Sequence, residues 1–239
     1  MISRTKLILI ATINKALILS ACTPVNTNHA EACMDSYVKM MWKDALENCQ
    51  KASDNGDVKS KSYLASMYLA GDGVVKDTKL AIQLYTDTAK RGDVDSQELL
   101  GYLYLTGEGV SQNFTRALEL YSSAANQGSA SAQFALGNLY DRGVGAARDR
   151  ALAEYWYKTA AAQGHSLAQF SLGKMYQSGE GVALDFRLAH MWFNLAASQG
   201  HRESITSRDR VSKLMSRAQL VEAQDMAKEC SSKGYKDCN

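Results

Sequence analysis

Apolar residues fall along this chain in short blocks at helical spacing. Between about Val94 and Leu105, the residues Leu99, Leu100, Leu103 and Tyr104 share one helix face. In the next block Ala117, Leu120, Tyr121 and Ala124 stand at i, i+3, i+4 and i+7, a single apolar stripe. Gly107 ends the first block, because a glycine just past a helix takes φ > 0 at little cost and lets the last carbonyls be satisfied. Gly109-Val110 turns the chain, Asn113 is a good N-cap for the second helix, and Gln127-Gly128 stops it. The pattern predicts a pair of helices joined by a glycine turn.

The same pattern returns every 36 residues without insertion or deletion, at Gly56, Gly92, Gly128, Gly164 and Gly200. Leu64, Leu100, Leu136 and Leu172 align; so do Tyr68, Tyr104, Tyr140 and Tyr176. Ala81, Ala117, Ala153 and Ala189 follow, then Tyr85, Tyr121, Tyr157 and Phe193. Each second helix opens on a cap-forming residue: Asp77, Asn113, Asp149 or Asp185. A fixed period in this range marks a repeat array. Positions 65, 101, 137 and 173 are Ala, Gly, Gly and Gly in mid-helix. A glycine there costs about 1 kcal/mol against alanine, so a neighbouring helix is expected to approach closely. The aromatic at 85, 121, 157 or 193 is the expected partner.

The ends differ. Residues 42–57 align with 114–129 at twice the period, so 30–57 is read as an N-terminal capping helix pair. Four repeats occupy 58–200. Residues 201–239 are read as C-terminal capping helices and tail, with Ser216-x-x-Gln219 as a capping box. End repeats need altered outer faces because no neighbour buries them.

Composition fits this picture. Of the 239 residues, 46% are hydrophobic and the single proline, Pro24, precedes the repeats. The net charge of +2 is uneven: the first 21 residues hold Arg4, Lys6 and Lys15 and no acid, and the rest carries 24 basic against 25 acidic residues. Such a body gives no electrostatic case for nucleic acid. Residues 1–21 read as a signal peptide, with a basic start and apolar runs at 7–13 and 16–21. Leu19-Ser20-Ala21-Cys22 resembles a bacterial lipobox. The resemblance implies acylation of Cys22, a lipoprotein held by its lipid on the periplasmic side of the outer membrane, and a short tether at 22–29. A soluble periplasmic or secreted protein is the alternative.

Four further cysteines, Cys33, Cys49, Cys230 and Cys238, suit disulfides in an exported chain. Pairing 33–49 and 230–238 would staple each end of the array, whereas the other two connectivities would join distant ends. The spacings fit no zinc site.

The repeat resembles the Sel1-like repeat, a tetratricopeptide-like unit. The match lies in Ala132-Gln133, Leu136-Gly137, Tyr140, Gly143-x-Gly145, Asp149, Ala153, Trp156-Tyr157 and Ala160-Ala161-x-x-Gly164. It implies an all-α, right-handed α/α solenoid of helix pairs with capping helices at both ends.

Little points to catalysis. His165 and His201 are one period apart and read as helix-start residues. There is no G-x-S-x-G elbow, Ser-x-x-Lys motif, phosphate-cradling loop or H-E-x-x-H. The glycine pairs follow helices rather than strands, which removes a nucleotide fingerprint. No enzyme, cofactor or metal is expected. What remains is a surface. The first helices are expected to line the concave side, where residues vary from unit to unit on a constant frame. Tyr63, Tyr102, Asn138, Arg142 and Lys174 are the candidate contacts for a protein partner in the envelope or the host. The expected function is a non-enzymatic interaction scaffold at the bacterial envelope. The alternatives are a cell-wall-fragment or β-lactam binding protein with weak hydrolase activity, and a structural spacer.

Overall fold

No residue after Pro24 interrupts a helix by lacking an N–H, and the computed structural model, which describes residues 27–236 and 238, is helical throughout. The chain forms two compact units, one ending at Asp93 and the other starting at Val94. Residues 1–26, on which the expected signal peptide, the Cys22 lipidation site and the front of the tether fall, lie outside the described residues.

The first unit holds α1 (Thr27–Val38), α2 (Trp42–Asp54), α3 (Val58–Ala70) and α4 (Thr78–Lys90). The helix α1 begins at Thr27, so the reading of 27–29 as tether is corrected. The last breaker is Pro24, and Ala30 and Ala32 are strong helix formers that let the helix run back that far. Between α1 and α2 no glycine turn is present; Met40 takes φ 56° instead. Cys33 and Cys49 are joined across the pair, with Cα atoms 4.6 Å apart and both side chains fully buried. Asp57 and Asp77 cap α3 and α4, accepting from the Ser60 N–H at 2.7 Å and the Leu80 N–H at 2.9 Å.

The second unit holds three helix pairs: α5 (Val94–Thr106) with α6 (Phe114–Asn126), α7 (Ala130–Arg142) with α8 (Arg150–Ala161), and α9 (Ser166–Ser178) with α10 (Phe186–Ser198). It closes with α11 (Arg202–Ser212) and α12 (Arg217–Ser232). Within this unit α5 to α11 each pack on their sequence neighbours, and α10 packs on both α11 and α12. This consecutive pairing is the helix-pair arrangement of an α/α solenoid.

The repeated residues are the core. Leu100, Leu136, Leu172, Ala117, Ala153 and Ala189 are 0–2% exposed. The expected partner of each mid-helix glycine is in place. A methyl group built on Gly137 would stand 2.5 Å from the Tyr157 ring, and one on Gly173 2.5 Å from Phe193. At Gly101 the distance to Tyr121 is 3.1 Å. Asn113, Asp149 and Asp185 cap the second helices through side-chain oxygens. Their own N–H groups donate to the carbonyls of Tyr104, Tyr140 and Tyr176 at 2.8–3.0 Å. The turn at Gly143-Val144-Gly145-Ala146, which departs from the Gly-x-Gly-Val pattern, is tightly seated: a methyl on Gly145 would lie 2.5 Å from the Phe114 carbonyl oxygen.

An amide ladder, unexpected from the pattern, runs beside this core. Gln127, Gln163 and Gln199 donate to Gln97, Gln133 and Gln169 at 2.7–2.8 Å. Gln133 and Gln169 in turn donate to the Ala125 and Ala161 carbonyls of the preceding pair. Gln97, Gln133 and Gln169 are buried, and such amides are tolerated because each is partnered. At the far end the Ser216–Gln219 capping box is formed, and Cys230 and Cys238 are joined.

A candidate partner-binding face on the first helices

The first helices α5, α7 and α9 place Tyr102, Asn138 and Lys174 in register, and Thr106, Arg142 and Ser178 one turn further on. Two grooves run between them. The first, about 530 Å³, is lined by Leu105, Phe114, Ala135, Leu139 and Val144, with Gln112, Asn138 and Arg142 as its polar members. The second, about 610 Å³, is lined by Asn138, Asp141, Tyr157, Ser171, Lys174 and Glu180 among others. Asn138 belongs to both.

The side chains are set by the frame beneath them. The Tyr157 ring, buried against Gly137, donates its hydroxyl to Asn138 Oδ1 at 2.9 Å. Burial, and then the Asp141 carboxylate, push the Tyr157 hydroxyl well above the usual phenol range. It therefore stays protonated and fixes which end of the amide accepts. The Asn138 amide nitrogen points its two donors elsewhere. Asp141 lies 3.6 Å from Arg148 and 3.7 Å from Arg150; Arg150 also pairs with Glu180. Both groove acids are thus paired with cations, Arg148 of the turn after α7 and Arg150 at the start of α8. Arg142 is exposed, and among the described residues no carboxylate is ion-paired with it. Lys174 is exposed too, its ammonium 5.7 Å from the Phe170 ring centre.

Of the five residues singled out in the sequence, the structure brings three to these grooves: Asn138, Arg142 and Lys174. Tyr102 is exposed on α5 but lines neither groove. Tyr63 lies in the first unit, half-buried in a 4.6 Å stack on Tyr37. The sequence reading missed Asp141, Glu180, Arg148 and Arg150. A signal was there: positions 148 and 150 break the period, with Lys, Gln and Leu, and Thr, Phe and Phe, at their equivalents. These period-breaking residues do converge, but as ion pairs.

His165 and His201 cap α9 and α11 through Nδ1 and lie against Phe134 and Phe170. Burial holds the His165 imidazole below its usual pKa. The groove linings contain no histidine or cysteine. Among the described residues no cluster of His, Cys, Asp or Glu is arranged to hold a metal ion, and no helix is long and apolar enough to cross a membrane.

A frame of helix pairs in strict 36-residue register, with variable side chains lining grooves between first helices, defines an α/α repeat protein. The Sel1 repeat model matches residues 58–93, 94–129, 130–165 and 166–201, and the chain belongs to that family. Sel1 repeat proteins are generally protein–protein interaction scaffolds. One similar structure is a protective antigen present in uropathogenic Escherichia coli strains, described as displaying an SLR fold. It is 33% identical with a TM-score of 0.73 over 82% of this chain, which spans 42% of that one. Another is a Sel1 repeat protein from Oxalobacter formigenes, 27% identical with a TM-score of 0.72, covering 95% of this chain and 98% of that one. An immunity protein from Pseudomonas aeruginosa, 20% identical with a TM-score of 0.51 over 86% of this chain and 83% of its own, shares the fold alone. No curated protein matches the chain.

Proposed function

We propose that this protein is a non-enzymatic scaffold at the bacterial envelope that holds a protein partner on the α5–α7–α9 face. One observation carries the reading: the residues that vary between repeats line two grooves meeting at Asn138, while the repeated residues are buried beneath. A constant frame under a variable, donor-rich surface suits recognition of another chain. The envelope location is supported by the basic-then-apolar pattern of residues 1–21 and the lipobox-like Leu19-Ser20-Ala21-Cys22. Two disulfides at the ends of the described chain suit an oxidising compartment. A related structure is described as a protective antigen, which fits display to a host. In this reading Cys22 carries the lipid that tethers the protein to the outer membrane.

The location is tested by fatty-acid labelling and membrane fractionation of the native chain and of Cys22→Ala. Label and membrane association should both be lost in the variant; an unlabelled native chain in the soluble fraction removes the anchor. The binding face is tested by a photo-cross-linking residue placed at Asn138, Arg142 or Lys174 in cells. A discrete protein adduct from these positions is expected, and adducts to no protein would remove the scaffold reading.

A further inference from the structure

The charges on this face do not balance, and the imbalance describes the ligand. Asp141 and Glu180, the acids of the second groove, are already held by Arg148 and Arg150. Among the described residues no acid is ion-paired with Arg142 or Lys174, and both are exposed. Asn138 itself is turned by Tyr157 so that its carbonyl is used and its amide N–H groups are free to donate. The first groove, by contrast, has an apolar floor of Leu105, Leu139, Ala135 and Val144. Its Gln112 amide is spent on the Leu105 carbonyl at 2.9 Å. The apolar groove, with Arg142 in its lining, and the groove that holds Lys174 therefore meet at the Asn138 donor.

We infer that the partner presents an extended, acidic segment: an apolar side chain in the Leu105–Leu139–Val144 groove, a main-chain carbonyl at the Asn138 amide, and carboxylates at Arg142 and Lys174. This inference rests on the scaffold reading and gives it a chemistry. A helical ligand fits less well, since its main-chain carbonyls are internally bonded and would leave the Asn138 donors unused.

The test is selection of random decapeptides on the immobilised full chain with disulfides intact, followed by fluorescence anisotropy with the enriched peptides. The expected consensus is one leucine-like residue accompanied by Asp or Glu. Arg142→Glu/Lys174→Glu should weaken such peptides about tenfold or more, from the usual size of exposed charge pairs and their reversal. It should enrich basic peptides instead. Binding should also weaken as NaCl rises from 50 to 500 mM, on the order of the screening expected for exposed charges. Circular dichroism melting of the variant checks that it is folded. As a second variant, Asn138→Asp keeps the acceptor for Tyr157 and removes the donors; it should repel the same peptides. Enriched peptides without acids, or with binding unmoved by the charge reversal, overturn the inference and leave the scaffold reading intact. Selection of no peptide, while cross-links from Asn138 still capture a protein, does the same. Binding of an anionic glycan such as polygalacturonate, with no peptide and no protein adduct, overturns both.

Discussion

Replacing Gly137 by alanine separates two opposing effects by sign. In an exposed helix interior the change should stabilise by about 1 kcal/mol, because alanine loses less backbone entropy. Here the added methyl would stand 2.5 Å from both Cδ1 and Cε1 of Tyr157, far inside the ~3.5 Å of a good carbon contact. The ring is 2% exposed, so it has nowhere to go without moving α8. Overpacking of this kind costs about 1–3 kcal/mol. Displacing the ring also strains the Tyr157–Asn138 hydrogen bond, worth about 1 kcal/mol. The net should be a loss of about 2 kcal/mol, a fall in Tm of about 4–8 °C for a chain of this size. Gly101→Ala is the control: its methyl would lie 3.1 Å from Tyr121, and cost and gain should nearly cancel. Ala65, fully buried at the equivalent position of the first unit, shows that the frame admits a methyl there. The assay is thermal unfolding by circular dichroism under oxidising conditions. Tyr157→Leu in the Gly137→Ala background should recover part of the loss relative to Tyr157→Leu alone. A rise in Tm for Gly137→Ala, or equal effects at 101 and 137, would falsify the small-against-large account.

Other consequences follow from the same geometry. His165 accepts the Ala168 N–H on Nδ1, so its protonation removes the cap of α9. Burial lowers its folded pKa below the unfolded value, so this stability is present above about pH 6.5 and lost as pH falls through the folded value. His165→Asn, a good N-cap without that titration, should flatten part of the Tm decline between pH 7.5 and 5; an unchanged slope counts against the cap. Gln133→Met should destabilise by about 1–3 kcal/mol, because the Ala125 carbonyl and Gln163 lose their partner; urea unfolding measures it, and a neutral result removes the ladder's role. Cys33→Ala/Cys49→Ala opens a loop of 16 residues and should lower stability by about 3 kcal/mol, seen as a Tm that no longer responds to reductant at that end.

The repeat was legible because each of its jobs needs a particular residue. Only a small residue at 101, 137 and 173 admits a large one at 121, 157 and 193, and both recur at the same period. The N-caps were legible for the same reason. The glutamine ladder was written as plainly, at 97, 133 and 169 and again at 127, 163 and 199, but polar residues near a helix end read as surface until a partner is seen. The binding face was legible only as a register. Lys174, Arg142 and Asn138 stood out as polar groups with reach, yet their surplus charge depends on Asp141 and Glu180 being paired with Arg148 and Arg150. The Glu180 pairing crosses 30 residues and follows from tertiary packing, and the Asp141 pairing depends on how the turn after α7 folds back. Tyr63 shows the converse: its register matched, but Tyr37 of the capping pair covers it.

The central claim is that this protein works by presenting the face around Asn138 to another protein. The measurement that bears on it most directly is photo-cross-linking in cells from position 138, compared with position 155, an exposed tyrosine on the second helix of the same repeat. The account predicts a discrete protein adduct from 138 that disappears in the Arg142→Glu/Lys174→Glu background, and none from 155. Equal capture from both positions, or none from 138, would contradict it.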